Sequence, residues 1–265
     1  MWFDAHVHAR RLGARDLGDL AFFGIAGVLV PSDDAVVPGT AAAIRRDWEA
    51  LAGAVRRLRR GGLAAWAAVG VHPRRIPLRG LEALLAELPA LLGRPEVAAL
   101  GDVGLDRGGE LEERVLLRQL GLARELRRPV LVRTPWRGRE RATRRVIALL
   151  REAEVDPARV LVAPADARTV RMIRACGFGA GLWLSEGDGG GRGVAQVVQT
   201  VSALGPEGIV LGSDAGQGGG DLLAVARAAD RLSRAKLSDA VVRRVCCENA
   251  VAWLGVDLGP RPRRR

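Results

Sequence analysis

Short apolar runs alternate with longer amphipathic stretches along the whole chain, and the alternation repeats eight times. The candidate strands fall at residues 2–7, 25–30, 63–71, 97–103, 129–134, 159–163, 178–184 and 208–213. Each is dense in Val, Leu, Ile or Ala, the pattern of a strand buried on both faces. Between them apolar residues recur at helical spacing. Leu81, Leu84, Leu85, Leu88, Leu91 and Leu92 form one stripe, and Leu116, Leu117, Leu120 and Leu126 form another. Asp156-Pro157 and Gly205-Pro206 stand just before strands, where they end the preceding helices. Strands that alternate with helices in this way predict an α/β fold, a single parallel (β/α)8 TIM barrel. An open doubly wound sheet is disfavoured, because no Gly-x-Gly-x-x-Gly turn follows the first strand. Residues 238–254 read as a C-terminal helix closing the barrel base.

Length and composition fit that picture. A chain of 265 residues suits one barrel, expected over residues 1–255, with a flexible Arg/Pro-rich tail at 256–265. Hydrophobic residues make up 48%, enough for a large core, which argues against disorder. Gly, Pro or Arg interrupts every apolar run well short of a membrane span, so no membrane partner is expected. The opening Met-Trp-Phe-Asp-Ala-His lacks the basic-then-apolar pattern of a signal peptide, and a cytoplasmic location follows as the expectation. Cys176, Cys246 and Cys247 read as buried thiols rather than a disulfide framework or zinc cluster.

The formal charge of +11 is carried almost wholly by arginine, with Lys236 the only lysine. Spread over many helical faces, it reads as a compositional habit rather than a nucleic-acid footprint. The terminal Arg261-Pro262-Arg263-Arg264-Arg265 reads as a solvated tail, and the glycine-rich run 187–193 as a loop at the barrel mouth.

The chemistry is concentrated in few residues. Two of the three histidines form His6-x-His8 at the end of the first strand. Residues two apart in a strand share a side, so both imidazoles can face one point at the C-terminal mouth, where barrel enzymes place their chemistry.

Asp4-Ala5-His6-Val7-His8 resembles the opening D-x-H-x-H of the TatD-type metal-dependent hydrolases, an amidohydrolase-like group. Further segments agree in order: Gly70-Val71-His72-Pro73, Ala99-Leu100-Gly101-Asp102-Val103-Gly104-Leu105-Asp106, Gly212-Ser213-Asp214 and Glu248-Asn249-Ala250. The resemblance implies a barrel that hydrolyses phosphoester or related bonds, nucleic-acid ends included, with divalent metals. It implies that His6, His8, Asp102 and Asp214 ligate one ion, zinc or manganese by the nature of the donors.

The second metal site of the family is degraded here. Arg133 and Pro164 stand where two further histidines are expected, and neither can ligate a cation. Asp102 replaces a glutamate, which shortens its reach by roughly 1.5 Å, so it reaches the ion only if the strand end shifts or water intervenes. Arg133 either neutralises Asp102 and clamps an anionic substrate, or merely fills the space. His72 is expected to orient substrate, and Trp136 and Asp106 to line the mouth. Ser32, Asp33 and Asp34 follow the second strand without a role set by spacing.

Two readings result. The first is a hydrolase with one divalent metal, Asp214 serving also as general base, acting on a phosphoester or, second, an amide or lactone. The other is a catalytically inactive barrel that binds a metabolite, nucleic acid or protein. Oligomeric state is not legible in the sequence.

Overall fold

Eight strands carry the core: β1 (Trp2–Asp4), β2 (Ile25–Pro31), β3 (Ala64–Val69), β4 (Val97–Gly104), β5 (Val130–Arg133), β6 (Val160–Ala163), β7 (Gly179–Trp183) and β8 (Ile209–Gly212). They form one parallel sheet in sequence order. The structure, a computed structural model, describes residues 1–32, 39–135, 138–185, 193–216 and 220–259. Asp33, Asp34, Trp136, most of the 187–193 loop and the 261–265 tail therefore lie outside the described residues.

Closure comes from the chain just past β1 and β8. Ala5 N–H donates to the Leu211 carbonyl at 3.0 Å, and Asp214 N–H donates to the His6 carbonyl at 2.9 Å. Val7 then pairs with Ala215 in a parallel bridge. The sheet is a (β/α)8 barrel, as the strand–helix alternation predicts.

The helices wrap the outside: α1 (Ala14–Phe22), α2 (Ala41–Arg60), α3 (Leu81–Leu92), α4 (Glu110–Glu125), α5 (Arg139–Glu152), α6 (Thr169–Arg174), α7 (Gly193–Leu204) and α8 (Ala224–Arg234). Their apolar stripes pack on the outward-facing strand residues, for example Leu84, Leu88, Leu116 and Leu120 with Val97 and Val103 in one buried cluster. The alternate strand residues point inward. Phe3, Leu29, Ala68, Leu131, Leu161 and Val210 fill the barrel interior, so the barrel is packed rather than hollow.

The 238–254 segment is helical throughout, as α9 (Asp239–Arg243), a π-helical turn (Arg244–Glu248) and α10 (Asn249–Leu254). Ser238 caps it, its hydroxyl accepting from Val241 N–H. Cys247, Ala250, Trp253 and Leu254 join the interior cluster, and Asn249 Nδ2 donates to the Pro206 and Ile209 carbonyls at 2.7 and 2.8 Å. This segment seals the end opposite the site. Burial pushes the Cys246 thiol up to about 12, which leaves it inert at neutral pH.

Many of the arginines stitch neighbouring helices together: Arg45 to Glu87, Arg118 to Glu82, and Arg145 to Glu113. These exposed pairs are each worth about 0–1 kcal/mol, so they set surface complementarity more than stability. Among the described residues no helix is long and apolar enough to cross a membrane.

Candidate metal centre

Beyond β1 the chain bends at Ala5, and the two residues that flank the Val7 bridge, His6 and His8, come together with ring centroids 5.1 Å apart. Both are buried. Asp214 meets them from the end of β8. Its Oδ1 lies 3.1 Å from His8 Nε2 and 3.4 Å from His6 Nε2. A tetrahedral ion with ligand arms of about 2.0–2.1 Å has donor–donor edges of about 3.3 Å. The two imidazoles and the carboxylate, all ligand atoms within 4.8 Å of one another, thus fit a zinc-like ion in both chemistry and spacing.

Asp214 is held in this place at a conformational cost. Its φ of 59° lies in the left-handed region, uncommon for a residue with a Cβ. The bond from its N–H to His6 fixes the backbone there. Burial on its own raises the carboxyl's pKa. The His8 hydrogen bond, the His6 and His8 charges and the Ser185 hydroxyl outweigh it and bring the pKa down to about 2. The group is an anion at any physiological pH.

Asp4, one layer deeper, braces the seam. Its Oδ1 accepts from Ser213 N–H at 2.9 Å and from His6 N–H at 3.2 Å. Full burial pushes its pKa up to about 6, against the opposing hydrogen bonds to Ser213 and His6. The His6 ring leans on Trp183, centroids 4.7 Å apart. Gly212 makes this contact fit, since a Cβ there would lie 2.7 Å from both His6 Cβ and the Trp183 ring. Asp4, Trp183 and Ser185 were not singled out from the sequence. Asp4 was visible inside the D-x-H-x-H segment, whereas Trp183 read only as a strand residue.

Arg133 ends β5 beside Gly104 of β4. A side chain at Gly104 would overlap the Arg133 carbonyl, so glycine permits this close approach. The Arg133 guanidinium is buried, with Nη1 3.6 Å from Asp102 Oδ2 and 2.6 Å from His72 Nε2. Among the described residues the converging ligand set comprises His6, His8 and Asp214. Asp102 stands outside that set, with its carboxylate turned to the guanidinium.

His72 is also buried; its Nε2 accepts from the Arg133 guanidinium at 2.6 Å, and its Nδ1 lies 3.1 Å from the Arg74 backbone nitrogen. Burial first, then the Arg133 charge, holds its pKa well below the ordinary imidazole value, so the ring is neutral. Asp106 accepts from Arg74 Nε at 2.7 Å. Ser32 is buried and donates to the Ala68 carbonyl, a structural contact. At the position of the other missing histidine, the Pro164 carbonyl accepts from Thr134 Oγ1 at 3.1 Å.

Residues 3–181 match the family described as TatD related DNase. The chain belongs to the TatD family. Its TatD match covers β1 through most of β7, and Asp214, after β8, lies beyond the matched residues. An uncharacterized metal-dependent hydrolase of Methanocaldococcus jannaschii is 29% identical over 171 residues, 64% of this chain and 68% of that one. The crystal structure of a TatD-like protein from Archaeoglobus fulgidus superposes with a TM-score of 0.81 at 25% identity, covering 96% of this chain and 100% of that one. A phosphotriesterase from Mycobacterium tuberculosis shares the fold, with a TM-score of 0.70 at 14% identity over 96% of this chain and 93% of that one.

Proposed function

We propose that this TatD-family protein is a hydrolase that works with one divalent ion, zinc or manganese, and acts on a phosphoester, nucleic acid included. The observation that carries the reading is the convergence of His6, His8 and Asp214 within reach of one ion. A divalent ion held there supplies Lewis acidity, lowering the pKa of water and polarising the scissile bond.

The rest is work for the chain itself. His6 and His8 would hold the ion through Nε2, and Asp214 through Oδ1. The second Asp214 oxygen is the one we assign to take the proton of the attacking water and pass it to the leaving oxygen. Arg133, neutralised on one side by Asp102, turns a planar donor fork toward an anionic ester and holds it by paired hydrogen bonds. The neutral His72 keeps that fork oriented. Arg133 thereby takes the place of a second cation, and the TatD site runs with a single ion.

Metal analysis of the purified protein, joined to hydrolysis of bis(p-nitrophenyl) phosphate and single-stranded oligonucleotides with zinc or manganese, tests the reading. One ion per chain and turnover that both vanish in His6→Ala/His8→Ala support it. A chain that stays metal-free when zinc is supplied, with normal stability, overturns it and leaves the binding-module alternative.

A further inference from the structure

His8 and His72 have a feature in common outside the donor set: each begins a one-turn 3-10 helix, Ala9–Arg11 and Pro73–Arg75 respectively. The turns close through Arg11 N–H to the His8 carbonyl at 3.2 Å and Arg75 N–H to the His72 carbonyl at 2.8 Å. One arginine from each turn reaches the same carboxylate on α2. Arg10 Nη1 lies 2.5 Å from Asp47 Oδ1, and Arg75 Nη1 lies 2.9 Å from Asp47 Oδ2. The Asp47 side chain is 1% exposed and that of Arg75 3%, while Arg10 is 38% exposed.

We propose that Asp47 is a positioning residue, which sets the metal-ligand turn of His8 and the substrate-side turn of His72 in one fixed relation. Two further ties from α2 agree with this. Trp48 Nε1 donates to the Gly70 carbonyl at 3.2 Å, two residues before His72, and the Arg57 guanidinium donates to the Ala9 carbonyl, one residue after His8. A buried carboxylate between two arginines is a poor device for stability alone, because well-packed apolar residues commonly do as well or better. Its use here is geometric. The distance from the donor set to the Arg133–His72 pair depends on both turns, and Asp47 is a single rigid part touching both.

The inference rests on the proposed site, but its first test needs neither metal nor substrate. The chain has three histidines, so a long-range proton–nitrogen spectrum of the imidazoles contains three ring systems. Arg10→Ala is expected to shift the His8 signals and leave those of His72 in place. Arg75→Met is expected to do the reverse, and Asp47→Asn to shift both. In the zinc-loaded protein, Arg10→Ala and Asp47→Asn weaken zinc binding about 10-fold or more, the usual effect of losing a group that orients a ligand. Arg75→Met raises KM for an anionic ester without changing zinc affinity, and Asp47→Glu recovers part of both losses.

Should Asp47→Asn fail to fold, Arg10→Ala, at the more exposed end, and Arg75→Met still decide the matter. Equal shifts of all three rings in both variants, or of none, overturn the proposal. A wild-type chain that binds no zinc removes the hydrolase reading instead, while the ring shifts still report on Asp47.

Discussion

The N–H of Asp214 donates to the carbonyl of His6 at 2.9 Å, so one of the bonds that close the barrel also sets the donor set. The first and last strands meet only in the folded chain, and the candidate ligands sit on both sides of that seam. An ion held by His6, His8 and Asp214 would fasten the same joint and so couple metal binding to barrel closure.

That coupling predicts a stability effect. An ion that binds only the closed barrel stabilises it by about 2.7 kcal/mol when free ion stands at a hundred times Kd. Saturating zinc is expected to raise Tm, a chelator to lower it to the metal-free value, and His6→Ala/His8→Ala to abolish the difference. Differential scanning calorimetry with and without chelator makes the comparison. Equal responses of wild type and double variant would place the ion elsewhere.

Gly212→Ala is a sharper probe of the seam. The new methyl lies 2.7 Å from His6 Cβ and from the Trp183 ring, both in buried surroundings that give way poorly. Overpacking of this kind costs about 1–3 kcal/mol. The displaced His6 should also weaken zinc binding. Gly121→Ala in the middle of α4 meets nothing within 4 Å and is the matched control, expected to stabilise by about 0.5–1 kcal/mol. Urea unfolding of the two variants gives opposite signs if the crowding at His6 is real.

Most of the barrel was readable because its strands are runs of Val, Leu, Ile and Ala buried on both faces, a pattern that owes little to distant partners. The 97–103 run, for example, became β4 (Val97–Gly104), extended by a single glycine. His6 and His8 were readable for the same local reason, the two-residue period of an extended chain. The facing of Asp102 and Arg133 was legible only as one of two alternatives, because it depends on the β4–β5 register, which pairs Gly104 with Arg133. Asp47 was invisible: an aspartate between Arg46 and Trp48 on an amphipathic helix looks solvated, and only the two rim turns arriving from β1 and β3 bury it. Trp183 matters through His6, which follows β1, and Ser185 through Asp214, which follows β8; no local pattern records either meeting.

The Asp102–Arg133 pair predicts non-additive mutations. Arg133→Met leaves a buried carboxylate without its nearby cation, a loss of about 3–5 kcal/mol. Asp102→Asn combined with Arg133→Met removes both charges and should recover most of it, which a double-mutant cycle in urea would register as coupling. Additive losses would mean that the 3.6 Å contact contributes nothing. Arg133→His carries a further expectation: the metal count stays at one, because the Pro164 side chain still offers no donor atom. Two ions per chain in that variant would show that Arg133 alone excludes the second.

The two acids at the seam predict opposite pH slopes in the metal-free protein. Asp214 has its pKa lowered from 3.8 to about 2. Between those values the unfolded chain holds the proton and the folded chain does not, so stability rises with pH and is lost as pH falls toward 2. Asp4 has its pKa raised from 3.8 to about 6, so over that interval the folded chain holds the proton and stability declines as pH rises. The wild-type-minus-variant difference in unfolding free energy isolates each group. For Asp214→Asn it should climb between pH 2 and 3.8 and then level off. With Asp4→Asn, which keeps the oxygen that accepts from Ser213 and His6, it should fall between pH 3.8 and 6. A flat Asp4 difference over that interval would mean that the acid ionises in the folded protein as easily as in water, and that burial at the seam is not what governs it.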